Sequence, residues 1–284
     1  TDGDLDPSGV VYAYAKSARV HGAEFFTHTP VLETNQRADG SWDVITAKGN
    51  IHAEYIVNAG GLWAREVGRM ANVHLPVVPM EHHYLITEEI EQIANLPEGR
   101  RLPHCIDFEA NIYLRQENTG MLLGTYEPHS TPWSLDGTPQ NFGHDLLEPK
   151  LERIADRLEL AFERIPALGT AGIKDKINGP FVFSPDGNPM IGPVPGVKNY
   201  WVAVGVMAGF CQAGGVGRSL SEWMIEGEPS IDVWAMDIAR FGSFATPQWG
   251  VIKSSENYER RFVMTFPNET LPKGRRQKTT SLYD

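Results

Sequence analysis

The apolar positions of this chain change period several times, and each change marks an element. Near the start, Asp6-Pro7 opens a helix: the acid can cap free N–H groups, and proline needs no N–H in a first turn. Val10, Val11, Tyr14, Ala18 and Val20 follow as a partly helical stripe that Gly22 ends. From Ala23 to Ala59 the period shortens to that of strands. Phe25 and Phe26 lead into Val31 and Leu32, then Trp42, Val44 and Ile45, then Ile51. Turns at Ala38-Asp39-Gly40 and Lys48-Gly49-Asn50 separate these runs, so the pattern predicts an antiparallel meander. Tyr55 to Ala59 predicts a strand that runs into Gly60-Gly61, with a helix from Leu62 onward.

Leu75 to Thr87 is an apolar run broken by Pro76 and Pro79, and it carries Glu81-His82-His83-Tyr84. Ile112 to Arg115 and Met121 to Gly124 read as strands paired around Glu117-Asn118-Thr119-Gly120, and Trp133 to Gly143 as a loop. Leu151, Ile154, Leu158, Ala161, Phe162 and Ile165 form one stripe, which predicts a single long helix stopping at Pro166. Ile173 to Phe183 predicts a strand at a sheet edge, followed by a turn over Ser184 to Pro189 in which Asp186-Gly187 is expected on backbone grounds alone. Tyr200 to Val204 is short and apolar enough for a buried strand. A small-residue loop with Gly205, Gly209, Gly214, Gly215 and Gly217 follows, then a helix with Leu220, Trp223 and Met224 on one face, closed by Gly227. Beyond Asp232 the periodicity fades, and Glu256 to Asp284 reads as a polar connector.

Two strand–glycine–helix junctions therefore exist, at Gly60-Gly61 and after Val204. Such junctions can set bare backbone N–H groups and a positive helix end against an anionic or electron-rich ligand. They are also ordinary tight turns, and neither is a Walker or Rossmann fingerprint. The 284 residues are 41% hydrophobic, enough for one large or two modest domains. A net charge of -11 argues against a general nucleic-acid surface. No apolar run reaches membrane-spanning length. Cys105 and Cys211 make neither a disulfide framework nor a metal motif, which fits a reducing compartment. The opening TDGDLDP reads as the middle of a longer protein, and a fragment is the expectation.

Five blocks in collinear order, HGAEFFTHTPV, YIVNAGGLWAREVGRM, LPVVPMEHHYLIT, NGPFVFSPDGNPMIGPVPG and QAGGVGRSLSEWMIEGEPS, resemble the dimethylglycine dehydrogenase and sarcosine dehydrogenase family, flavoproteins of the D-amino-acid-oxidase superfamily. The closing GRRQKTTSLYD resembles the segment by which that family enters its central domain. The resemblance implies an α/β (α+β) fold: a partial FAD-binding domain with an inserted mixed or antiparallel-sheet substrate domain. Residues 1–75 are expected as a first FAD-domain segment, 76–172 as the substrate domain, 173–232 as the returning FAD-domain segment, and 233–284 as a connector. The family's N-terminal GxGxxG unit and its C-terminal folate-binding region are not in this sequence, so an incomplete FAD site is expected, with any tetrahydrofolate belonging to the missing part.

Carried over residue by residue, the resemblance sets the Val31 backbone at the adenine and Ala59 and Gly60 at the pyrophosphate, with Trp63 packing nearby. It sets Gly205, Val206, Met207, Ala208, Gly209 and Phe210 at the isoalloxazine ring. It makes His82 and Tyr113 a substrate-pocket pair that takes or relays a proton, since hydride leaves an N-methyl carbon only when the nitrogen lone pair is free. Arg115, two residues from Tyr113 and so on the same strand face, is the candidate for the substrate carboxylate. Plainer readings stand beside these. His82 and His83 alternate across the strand, so only one can face a given pocket and the other is structural or exposed; Tyr113 can be core with a satisfied hydroxyl; Arg115 can sit in a surface ion pair; Trp63 can simply pack the helix.

Monomeric sarcosine oxidases attach flavin through a cysteine near the place held here by Gly179, and carry a lysine where this chain has Cys211-Gln212-Ala213. Both departures favour the dimethylglycine-type branch. The implied activity is oxidative demethylation of dimethylglycine or sarcosine by hydride transfer to flavin N5, with oxygen or an electron-transfer flavoprotein as acceptor. No nucleic acid, membrane or metal is implied, and the location is the cytoplasm, or the mitochondrial matrix in a eukaryote. The alternative is a non-catalytic flavoprotein-like subunit resembling the regulatory subunit of pyruvate dehydrogenase phosphatase. A third reading is a true short relative of the substrate domain.

Overall fold

The computed structural model describes residue 3, residues 5–143 and residues 145–264. Helix α1 (Pro7–Val20) opens as expected, with the Asp6 carboxylate accepting from the Gly9 N–H and proline in the first turn, but it buries none of its residues. Phe25 and Phe26 are exposed and belong to no strand. The meander follows as β1 (Val31–Gln36), β2 (Trp42–Thr46) and β3 (Gly49–Ala53), paired antiparallel in that order. Strand β4 (Ile56–Asn58) ends on Gly60-Gly61, and a 3-10 turn over Gly61–Trp63 leads into α2 (Ala64–Met70). Next come β5 (Val78–Thr87), α3 (Glu91–Ala94), β6 (Cys105–Asp107), β7 (Ile112–Glu117) and β8 (Gly120–Thr125). Helices α4 (Ala155–Arg164) and α5 (Pro166–Thr170) precede β9 (Ile173–Phe183), β10 (Met190–Pro193) and β11 (Tyr200–Val204). Helices α6 (Gly209–Glu226) and α7 (Pro247–Glu259) complete the described chain.

Two further sheets position the site. Strands β6, β7, β8, β5 and β9 form one antiparallel sheet in that order, with β9 on its edge. One face buries Leu85, Ile112, Leu114 and Leu123 against Leu158 and Ala161 of α4 and Leu168 of α5. In the third sheet, β10 pairs with β11, and β11 lies parallel to β4, with Tyr200 beside Ile56 and Val202 beside Asn58. Parallel neighbours end on the same side. Both glycine junctions therefore leave the sheet at one edge, the place where open α/β sheets hold ligands.

The structure departs from the sequence reading in four further places. The stripe from Leu151 to Ile165 is not one helix: a 3-10 turn over Leu151–Arg153 precedes α4, and Ile165 leaves helical geometry (φ -132, ψ 86). A residue before proline is pushed out of the α region, and Pro166 then restarts the chain as the first residue of α5. The glycine loop is short, because α6 begins at Gly209 and absorbs Gly214, Gly215 and Gly217. Strand β9 hydrogen-bonds to β5 along ten positions, so the five-stranded sheet runs across the division drawn at residue 173. The stretch expected as a connector from 233 carries α7, whose Thr246 hydroxyl caps the Trp249 N–H and whose Trp249, Lys253, Ser254 and Tyr258 are buried. Before it, Arg240 forms a two-point ion pair with Asp186 at 2.8 and 3.0 Å, which ties the 184–189 turn to this segment. The closing GRRQKTTSLYD lies outside the described residues.

Asn58 joins strand to helix at the first junction. It is 1% exposed, its Nδ2 donates to the Ala64 carbonyl at 2.9 Å, and its Oδ1 accepts the Gly60 N–H at 3.0 Å. Asn58→Ala leaves both backbone groups without these partners and is expected to cost about 2 kcal/mol, read as a lower urea midpoint at unchanged m-value.

Candidate active site

His82 lies on β5, next to the β9 edge of the five-stranded sheet, 8% exposed, with aromatic rings on several sides. Its ring centroid is 4.8 Å from that of Tyr126, 5.3 Å from Phe181, 5.8 Å from Tyr258 and 5.9 Å from Tyr113. Its two nitrogens meet two hydroxyls: Nε2 is 2.8 Å from Tyr113 Oη and Nδ1 is 3.0 Å from Tyr258 Oη. Tyr113 is on β7 and His82 on β5, with β8 between them. The phenol can cross because Gly124 on β8 stands directly opposite Tyr113: a Cβ there would fall 1.9 Å from Tyr113 Cζ. A glycine inside a strand commonly marks such a close approach.

The Tyr258 hydroxyl donates to Glu127 Oε2 at 2.8 Å. Its oxygen is then the acceptor for a proton on His82 Nδ1, which leaves Nε2 as the acceptor for the Tyr113 hydroxyl. Glu127 is fully buried, with Arg153 Nη2 3.6 Å and His83 Nδ1 3.9 Å from Oε1. Burial pushes its carboxyl above the ordinary range, against the opposing pull of the Tyr258 hydrogen bond and the Arg153 charge. His83 points to the other face, as alternation requires, and its Nε2 accepts the Lys150 N–H at 3.3 Å. Burial also raises Tyr113 and Tyr258, and pushes Tyr126 up to about 12, so all three phenols are neutral.

Beside this cluster, the two glycine junctions line one cleft. Ala59 and Gly61 come from the β4 end, Gly205, Val206 and Met207 from the β11 end, and Phe181 from β9. Phe181 is shared with the ring cluster around His82, which makes the two features neighbours. Gly61 (φ 52) and Gly205 (φ 65) adopt left-handed backbone that glycine tolerates best. A Cβ on Gly60 would crowd Asn58 Oδ1 at 3.0 Å and Ala64 N at 3.2 Å. The first turn of α6 has no side-chain cap, so its N–H groups are left for another acceptor. Tight backbone, small residues and an uncapped helix start suit the flat, electron-rich edge of a flavin, and these residues fit FAD.

The sequence-derived residues fall into distinct places. Ala59, Gly205, Val206 and Met207 line the cleft, Gly60 lies beside it, Ala208 is the N-cap of α6 and Gly209 its first residue, and Phe210 follows with 42% exposure. Val31 starts β1, paired with Thr46 in the meander. Trp63 anchors a different segment, its Nε1 donating to the Pro139 carbonyl at 2.9 Å. Arg115 is paired with Glu117 at 2.5 Å, the next residue on its own face of β7. Gly124, Tyr126, Glu127, Phe181 and Tyr258 were not identified from the sequence. The isolated glycine in Met121-Leu122-Leu123-Gly124-Thr125 and the Thr246-Pro247 helix start were the available signals.

Two outcomes follow. Gly124→Ala is expected to expel the Tyr113 ring, cost about 1–3 kcal/mol, and let one more phenol ionise near the ordinary 10.0 in an absorbance titration. Burial, with His83 adding to it, lowers the His82 pKa from 6.5 to about 3. Between those values the unfolded chain binds the extra proton, so His82's contribution is full above about 6.5 and is lost as pH falls toward 3. Denaturant titrations at stepped pH should show that acid slope, and His82→Gln should flatten it.

Residues 1–223 match the FAD dependent oxidoreductase family, and residues 226–280 match the FAD dependent oxidoreductase central domain. The chain is similar to Dimethylglycine dehydrogenase, mitochondrial, of Mus musculus, 42% identical over 99% of this chain and 33% of that protein. It is also similar to Sarcosine dehydrogenase, mitochondrial, of Homo sapiens, 33% identical over 100% of this chain and 31% of that protein. Among solved structures, L-proline dehydrogenase from P. horikoshii superposes with a TM-score of 0.70 at 28% identity, covering 85% of this chain and 61% of that one. The chain spans about a third of the length of these curated relatives. With a family match over most of its length and a cleft built from the two glycine junctions, the chain belongs to the FAD dependent oxidoreductases.

Proposed function

We propose that this chain carries the substrate pocket and part of the flavin site of an enzyme that oxidatively demethylates an N-methylated glycine, dimethylglycine or sarcosine. The observation that carries the reading is the His82–Tyr113 hydrogen bond inside an aromatic cluster that shares Phe181 with the glycine cleft. The similarity to dimethylglycine and sarcosine dehydrogenases supports the substrate class. Ala59, Gly60 and the segment from Gly205 to Phe210 would hold FAD, and the bound cofactor supplies the acceptor for a substrate hydride.

The chain's own residues handle the proton. Tyr113 donates its hydrogen to His82 Nε2 and keeps oxygen lone pairs to accept the N–H of a protonated amine. His82 is neutral at working pH and its Nε2 is free to take the Tyr113 proton as one link of a relay. Loss of the ammonium proton frees the nitrogen lone pair, which is what lets an N-methyl C–H leave as hydride. The rings of Tyr113, Tyr126 and Phe262 pack tilted and edge-to-face on one another, an aromatic cluster of the kind that suits a methylated cation. The resulting iminium hydrolyses to formaldehyde, or is captured by tetrahydrofolate where a folate-binding region follows. For the carboxylate, Arg115 must first give up Glu117; Arg261, which bears on the Tyr126 hydroxyl, is a second cation at the cluster. Oxygen or an electron-transfer flavoprotein completes turnover. The mitochondrial names of the relatives fit a matrix location in a eukaryote.

An anaerobic absorbance scan of the flavin-loaded protein tests the reading. Dimethylglycine or sarcosine should bleach the oxidised-flavin band, and His82→Ala should slow that step by about 100-fold. A bound flavin that stays oxidised with every N-methyl glycine would reject the proposal in favour of another substrate or of the regulatory-subunit alternative.

A further inference from the structure

The hydrogen bonds at His82 continue past the histidine–tyrosine pair. Tyr113 Oη to His82 Nε2 is 2.8 Å, His82 Nδ1 to Tyr258 Oη is 3.0 Å, and Tyr258 Oη to Glu127 Oε2 is 2.8 Å. The four groups come from β7, β5, α7 and the segment just after β8. One polarity satisfies every link. A carboxylate only accepts, so Tyr258 donates to Glu127, His82 Nδ1–H donates to Tyr258, and Tyr113 donates to Nε2. We propose that this row is a proton wire, and that the proton lost by a cationic amine substrate ends on Glu127 through Tyr113, His82 and Tyr258.

The inference rests on the amine-oxidising reading and adds two residues to it. In the shift, the amine N–H proton moves to Tyr113 Oη, and Tyr113's own proton moves to His82 Nε2. The Nδ1 proton moves to Tyr258 Oη, and Tyr258's proton moves to Glu127 Oε2. Each hydroxyl breaks one O–H bond and forms another. His82 changes tautomer and never carries charge, the ammonium and carboxylate charges cancel, and the amine nitrogen keeps its electron pair. Two features favour this route over a resting imidazolium. Burial resists a charged His82, and it also makes Glu127 a stronger proton acceptor than an exposed carboxylate.

The surroundings tolerate the transfer. Glu127 is faced by Tyr258 from α7, His83 from β5 and Arg153 from the 3-10 turn before α4. Arg153 also lies 3.4 Å from Glu81 of β5, which Lys150 approaches at 3.1 Å, so protonating Glu127 does not leave the guanidinium without a counter-charge. Around His82 stand Tyr113, Tyr126, Tyr258 and His83, with Arg261 bearing on Tyr126. Tyr258 and Glu127 act through His82 and are positioning residues.

The test uses the flavin-loaded holoenzyme, anaerobic reduction by dimethylglycine followed from neutral pH upward, and 15N spectra of histidine-labelled protein with His82→Gln to assign the signal. Tyr258→Phe and Glu127→Gln should each slow flavin reduction by about tenfold or more at neutral pH. The deficit should close as pH rises through the substrate's own ammonium pKa, because the amine then arrives deprotonated. Resting His82 should show the Nδ1–H tautomer, and Tyr258→Phe should lose it. Flavin content reports folding, and if Glu127→Gln binds no flavin, Tyr258→Phe decides. Unchanged rates in both variants, a deficit equal at every pH, or an Nε2–H tautomer in the resting protein would overturn the wire. These results leave the amine-oxidation reading standing so long as dimethylglycine bleaches the flavin and His82→Ala slows it; loss of both would remove that reading and the wire together.

Discussion

A histidine placed where water cannot follow must find partners for both ring nitrogens from the protein itself, and that requirement organises this molecule. His82 is buried on β5, the strand between β8 and β9 of an antiparallel sheet, opposite Gly179 of β9. Its partners come from far away in sequence: a phenol leaning across an intervening strand, and a phenol from a helix 176 positions later. Each contact imposes a condition elsewhere. The first needs a strand position with no side chain, at Gly124; the second needs α7 seated against β5 and β9, which Ser254 and Tyr258 accomplish from inside the core. A buried polar group left unpaired costs more than a paired one contributes, so these conditions are enforced together.

The glycine cleft follows a different logic. There the chain offers backbone in place of side chains. β4 and β11 run parallel as neighbours, so their glycine ends meet without any long-range side-chain contact. Asn58 holds the first end by bonding both the turn and the helix beyond it. The second end passes directly into α6, whose first turn has no side-chain cap. Phe181 touches both regions, so one residue of β9 borders the ring cluster around His82 and the cleft alike.

Much of this was legible in the residues. The Asp6-Pro7 start, the meander, the paired strands around Asn118 and both glycine junctions follow from local rules of capping, alternation and turn chemistry. The resemblance singled out His82 and Tyr113, and the fold brings them to 2.8 Å. What escaped depends on distance in the chain. No local pattern says that Tyr258, in a segment of fading periodicity, reaches His82, nor that Glu127 lies under it. Arg115 shows the converse: alternation put it on the face of Tyr113, but the same alternation put Glu117 there as well, and the nearer charge took it. Gly124 is intermediate, since a glycine inside a strand was visible but the phenol that needs the space was not.

Tyr258 lies in the second of the two family regions, within residues 226–280, while His82 and Tyr113 lie in the first, within residues 1–223. The histidine is thus completed across a modular seam. Exchange of either module between relatives would preserve a plausible fold on each side and still break the shared site, unless the incoming module brought a phenol to the same place. Chemistry as well as packing thus couples the two regions, and position 258 is where a chimera would reveal whether its halves were compatible.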